Sequence, residues 1–135
     1  MFEPIHQHLL LKARLSGESR LLYPEYNMVE KNGKGMLVDI VAAVGMTPVT
    51  AAQCVYITAE GNEGITGSIN LAESHIAFHV WDNARLLMLD VYSCKVFDSA
   101  TVLAVIKEYC PGIQFEYIMT IDRANGILTG DNYGM

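Results

Sequence analysis

Three residues in the middle of this chain have types and spacing that could do chemistry: Ser74, set between Glu73 and His75, His79 five positions later, and Cys94 twenty positions after the serine. A hydroxyl becomes a nucleophile when a base takes its proton, and a thiol is a good proton donor, so a Ser, a His and a Cys in one pocket suggest acyl chemistry. Taken alone, Ser74 could be a nucleophile, a turn residue or a point where the backbone cuts itself. A single His in an apolar strand is more often a hydrogen-bonded core residue, and a lone Cys at a strand end is usually a small hydrophobe.

The flanking elements must bring these residues together. Residues 49–58, 65–71, 75–81 and 86–92 read as strands, separated by turn formers such as Gly61-Asn62 and Asp82-Asn83. The hairpin through Asp82-Asn83 carries Cys94 back beside the start of the 75–81 strand, so the spacing predicts one pocket for Ser74, His79 and Cys94. An opening strand covers residues 8–15. Residues 20–35, with Pro24, Asn27, Asn32, Gly33 and Gly35, read as an irregular excursion, a lid. Leu37, Ile40, Val41 and Val44 give a short amphipathic helix over 36–44, stopped by Gly45. Asp98-Ser99 caps a second helix that ends at Pro111-Gly112. A last strand spans 113–121, and the tail beyond Asp122, with Gly126, Gly130 and Gly134, is expected to be loose. Two helices against about six strands predict an α+β fold: a two-layer sandwich, an antiparallel sheet with helices on one face.

Composition narrows the function classes. The 135 residues suit one domain, 1–135, and the 51% hydrophobic and 18% charged content describes an ordered globule with apolar surface to spare for a partner subunit. A net charge of -6 with only nine Lys and Arg leaves no footprint for nucleic acid. Cys54, Cys94 and Cys110 have no paired ligand spacing, which argues against a disulfide framework or a metal site and for reduced thiols in the cytoplasm. The opening residues, with Phe2, Glu3 and Pro4, have no basic region leading into a long apolar run, so no signal peptide is expected, and no window of 18 uncharged apolar residues is present, so no helix is expected to span a membrane. The glycines at 61, 64 and 67 lack the following helix that a nucleotide-binding loop requires.

Residues 71–81, LAESHIAFHVW, and 89–94, LDVYSC, together with Gly64-Ile65-Thr66-Gly67 and His8-Leu9-Leu10-Leu11, resemble the short prokaryotic type of pyruvoyl-dependent S-adenosylmethionine decarboxylase. The resemblance spans residues 8–109 and is strongest over 64–94. It implies a proenzyme that cleaves itself into 1–73 and 74–135, with the Ser74 hydroxyl attacking the Glu73 carbonyl. The resulting ester then eliminates to leave a pyruvoyl group in place of Ser74. By position, His79 is the processing base, Thr66 assists processing, and Cys94 is the proton donor in turnover. The pyruvoyl ketone would form a Schiff base with a substrate amine and accept the electrons of decarboxylation, with no metal. The implied role is to supply aminopropyl groups for spermidine, by a homodimer acting on a small-molecule amine.

The sequence also departs from that pattern. Glu60 stands where an aromatic residue stacks on adenine, Asn83 where a glutamate grips the ribose, and Lys12 where the opening strand has an acid. Glu60, Trp81 and Asn83 are therefore the substrate-binding candidates, with Tyr56 a possible substitute for the aromatic. An anionic Glu60 suits a guanidinium or ammonium group, so L-arginine or L-ornithine is the alternative substrate. A non-catalytic regulatory homologue is the other alternative, and the retention of Ser74, His79 and Cys94 together argues against it.

Overall fold

The computed structural model describes residues 7–22, 25–122 and 125–132, with residues 131 and 132 described by backbone only. Seven strands form one antiparallel sheet in the order β2-β3-β4-β5-β1-β6-β7. They are β1 (Gln7–Arg14), β2 (Gln53–Ile57), β3 (Gly64–Leu71), β4 (Ser74–Trp81), β5 (Leu86–Ser93), β6 (Gln114–Asp122) and β7 (Ile127–Asn132), with helices α1 (Tyr26–Val44) and α2 (Ser99–Tyr109). The α+β expectation is met.

Period-two alternation decides what the sheet buries. Leu9, Leu11 and Ala13 of β1, Ile65, Ile69 and Leu71 of β3, Ile76, Phe78 and Val80 of β4, and Leu87, Leu89 and Val91 of β5 are all buried. The helices cover this face with stripes at helical spacing. Val29, Gly33, Met36, Leu37, Ile40 and Val41 line α1, and Val102, Val105, Ile106 and Tyr109 line α2. The alternate residues, among them His8, Leu10, Ala77, His79, Met88 and Asp90, occupy the opposite face, which neither helix of the described residues covers.

Two sequence expectations are corrected. The 20–35 excursion is not a lid over its second half: α1 begins at Tyr26 and runs unbroken to Gly45, whose φ of 69° ends it. Gly33 and Gly35 sit inside the helix because neighbours press on them. A Cβ at 33 would lie 2.5 Å from Cys54 Sγ, and one at 35 would lie 2.9 Å from the Tyr109 hydroxyl. Pro24 lies outside the described residues. The tail is not loose over residues 127–132, which pair as β7 with β6 from Ile127↔Asp122 to Asn132↔Tyr117; Gly134 lies outside the described residues. The other elements fall within a few residues of their expected bounds, and α2 is capped as expected by the Asp98 carboxylate, which accepts from Ala100 N at 3.0 Å.

Candidate active site

The Glu73-Ser74 bond lies at the exit of a tight hairpin. Leu71 of β3 pairs with Ser74 of β4 across a two-residue turn, and Ser74 pairs on its other side with Ser93 of β5. Ser74 has φ 155°, in a region that residues bearing a Cβ rarely adopt. Such a backbone costs on the order of 1–3 kcal/mol and persists only where its surroundings over-determine it. The surroundings here are specific. Glu73 Oε1 accepts from Thr47 N at 3.0 Å, and Ala72 N donates to Thr47 O at 2.8 Å. Lys95 Nζ stands 3.9 Å from Glu73 Oε2 while donating to Gly45 O at 3.1 Å. The Glu73 carbonyl, the one a Ser74 hydroxyl would attack, accepts from Cys94 N at 2.9 Å. A backbone N–H on that oxygen stabilises the negative charge that attack would place there.

Cys94 follows Ser93, whose hydroxyl accepts from Lys95 N at 3.0 Å and shapes the turn after β5. It is half-buried, whereas Cys54 and Cys110 are fully buried. Burial pushes the Cys54 thiol up to about 12 and the Cys110 thiol up to about 11, against 9.0 for an ordinary thiol. Of the three thiols, Cys94 alone stands beside the Glu73-Ser74 junction.

Thr66 and His79 form a second group. They are register partners on β3 and β4, with Thr66 Oγ1 3.5 Å from His79 Nε2, and the exposed His79 ring lies 5.5 Å from Trp81. The sequence reading placed Ser74, His79 and Cys94 in one pocket of one chain. The structure brings Cys94 to Ser74, but His79 is five strand residues away, roughly 16 Å at the rise of an extended chain. A strand cannot fold residue i onto i+5. One chain therefore holds these residues as two separate pairs, Ser74 with Cys94 and Thr66 with His79.

The substrate-binding candidates gather at the His79 end. Gly61, Glu63, Trp81, Asn83, Ala84 and Leu86 line a groove of about 240 Å3, and Trp81 Nε1 donates to Asn62 Oδ1 at 3.4 Å. Glu60 is exposed one residue outside that lining. Behind the 82–85 turn lies a larger cavity, about 550 Å3, lined by Tyr26, Tyr56, Glu63, Asp82, Asn83 and Arg85 among others. Tyr56 stacks on Tyr26 with ring centroids 4.0 Å apart, and its hydroxyl donates to Asp82 Oδ2 at 2.5 Å. Burial, and then that carboxylate, raise the Tyr56 hydroxyl above its ordinary range. Lys12 pairs with Glu116 at 3.1 Å on β6, and Arg14 joins it at 2.8 Å, so the lysine serves the sheet rather than the groove.

Sequence reasoning passed over a cluster of His8, Asp90, Tyr92 and His75 on the helix-free face. The available signal was alternation combined with strand order, which puts the odd positions of β4 and the even positions of β1 and β5 on one surface.

A family model described as S-adenosylmethionine decarboxylase matches residues 24–121. Among similar curated proteins, the S-adenosylmethionine decarboxylase proenzyme of Methanococcus maripaludis strain C7 is 39% identical over 98 residues, covering 71% of this chain and 74% of that protein. The proenzyme of strain C5 is 34% identical over 96 residues with the same coverage of both chains. One from Clostridium botulinum strain Langeland is 36% identical over 47 residues, 34% of this chain and 40% of that protein. The crystal structure of the adenosylmethionine decarboxylase from Aquifex aeolicus VF5 superposes with a TM-score of 0.62 at 21% identity, covering 95% of this chain and 96% of that one, a likeness of fold.

Proposed function

Because the chain belongs to the S-adenosylmethionine decarboxylase family, we propose that it is a proenzyme that cuts itself between Glu73 and Ser74 and then decarboxylates S-adenosylmethionine, the donor of aminopropyl groups in polyamine synthesis. The observation that carries this reading is the junction itself: a serine at φ 155° following a carbonyl that already accepts a backbone N–H from Cys94.

Self-cleavage conserves atoms as follows. Ser74 Oγ attacks the Glu73 carbonyl carbon, the C–N bond breaks, and the Ser74 nitrogen takes up the proton, leaving an ester. A base then removes the Ser74 Cα proton and the Glu73 carboxylate leaves. The resulting enamine tautomerises, and water displaces ammonia to give a pyruvoyl group as the new terminus. That group supplies a ketone able to engage the substrate amine and draw off the electrons of the breaking carboxyl bond. Cys94, beside the junction, is placed to return a proton to the substrate carbon. Thr66 and His79 supply the hydroxyl and the base of processing.

Their roughly 16 Å separation from Ser74 in one chain supports a homodimer in which each site takes Ser74 and Cys94 from one copy and Thr66 and His79 from the other. The helix-free face is suited to that pairing. It carries His79 and Asp90 beside half-buried Leu10, Ala77, Met88 and Tyr117, around a shallow groove of about 210 Å3. Among the described residues no helix is long and apolar enough to cross a membrane. Three free cysteines fit a cytoplasmic location.

Intact-mass measurement tests processing. It should show residues 1–73 and a 74–135 fragment lighter by one ammonia than simple hydrolysis gives. A single intact chain after prolonged incubation would overturn the reading. One observation favours a second substrate class: Glu63 lines the groove, Glu60 lies just outside it and Asp82 lies behind it, which suits the distal cation of arginine or ornithine. Carbon dioxide release from all three substrates decides between them. If the basic amino acids are the substrates, Glu60→Gln should cost about 1.5–3 kcal/mol of binding, a ten- to hundredfold effect confined to them.

A further inference from the structure

The His8, Asp90, Tyr92 and His75 cluster has no role in the chemistry above. His8 Nε2 lies 2.9 Å and His75 Nε2 3.1 Å from the same atom, Asp90 Oδ2. As Nε2–H tautomers both rings donate to it. Tyr92 is the register partner of His8 on one side and of His75 on the other. It stacks on His75 with centroids 5.6 Å apart and planes 23° apart, and it meets His8 edge-on at 5.4 Å. Three adjacent strands thus converge on the side chain of His75, the residue that follows Ser74.

The strained backbone at Ser74 needs restraint on both sides. On the Glu73 side, Thr47, Cys94 and Lys95 provide it. On the other side, among the described residues, the fixed point is His75, clamped between a carboxylate and an aromatic face. Hydrogen bonds to a carboxylate are roughly twice as strong as neutral ones, so Asp90 is the stronger half of that clamp. We propose that Asp90, backed by His8, is a positioning residue for self-cleavage: by holding His75 it keeps Ser74 in the strained conformation from which it attacks Glu73. The inference rests on the self-cleavage reading and adds to it two residues distant in sequence from the cut.

The experiment follows first-order self-cleavage of the freshly synthesised full-length chain by intact mass, alongside its melting temperature. Asp90→Leu, close in size but without an acceptor, should slow cleavage about tenfold or more, and Asp90→Asn, which keeps one acceptor oxygen, should restore most of the rate. His75→Gln, which keeps a donor, should cleave faster than His75→Leu, and this pair decides the matter if Asp90→Leu fails to fold. Cleavage of the leucine variants at the wild-type rate would overturn the proposal. So would rates that follow melting temperature alone, with no rescue by Asn or Gln. A wild-type chain that stays intact overturns the processing reading and this one with it, whereas cleaving wild type with unaffected variants removes this one only.

Discussion

Ser74 combines two properties that a purely structural residue would not need: a hydroxyl and a backbone angle that suits glycine. The second property can be measured without the first. Ser74→Ala and Ser74→Gly both remove the nucleophile, so both should remain intact chains, but only glycine adopts φ 155° without strain. After allowing for the extra freedom of glycine in the unfolded chain, the Gly variant should be more stable than the Ala variant by about 1 kcal/mol in denaturant unfolding. Equal stability, or a more stable Ala variant, would mean that no strain is stored there. The cysteines give a second check at this scale. Cys54 and Cys110 are buried and their thiols are pushed up to about 12 and 11, so at mild alkaline pH few of them are thiolate, the reactive form. Alkylation of the native chain should mark Cys94 first. Peptide mapping that found Cys54 or Cys110 modified at a similar rate would contradict the burial described here.

At the scale of elements, what the sequence made legible and what it hid have the same cause: alternation and caps are local, whereas close approach is not. The strands of the 64–93 segment announced themselves through period-two patterning, and α2 through Asp98 at one end and Pro111-Gly112 at the other. The first half of α1 was hidden because Asn32, Gly33 and Gly35 look like breakers until the sheet beneath them is known. Gly33 is there because the helix lies directly on Cys54, Phe78 and Ile65. The same contacts make a prediction opposite to helix propensity. Alanine at an exposed helical glycine would gain roughly 1 kcal/mol, yet Gly33→Ala places a methyl 2.5 Å from Cys54 Sγ and 3.0 Å from Phe78 Cζ. It should destabilise the chain by about 1–3 kcal/mol, as overpacked cores do. An increase in melting temperature would show that α1 does not sit that close. The site was legible to the same extent. Residue types and spacing named Ser74, His79 and Cys94, and the family resemblance added Thr66, but only strand geometry could show that they divide into two pairs. The clamp on His75 draws on three strands and has no local signal at all.

For the whole molecule, the proposed reading makes processing the property of an assembly rather than of a chain, and that can be tested. If Ser74 and Cys94 of one copy work with Thr66 and His79 of another, a Ser74→Ala chain and a His79→Ala chain should each stay uncut, or nearly so, when alone. Loss of a general base alone is worth about a hundred- to ten-thousandfold in rate. Mixed together so that subunits exchange, or produced in one cell, they form pairs in which one of the two sites is intact. That site joins Ser74 of the His79→Ala chain to His79 of the Ser74→Ala chain. Mass spectrometry should then find cleavage products of the His79→Ala chain only, about half of that chain at equal mixing if subunits pair once at random and more if they go on exchanging, while the Ser74→Ala chain stays whole. A site built within one chain predicts no cleavage in any mixture. A sedimentation profile holding only the 14.9 kDa species at micromolar concentration would count equally against the shared site, since half of the chemistry would then have no partner to meet.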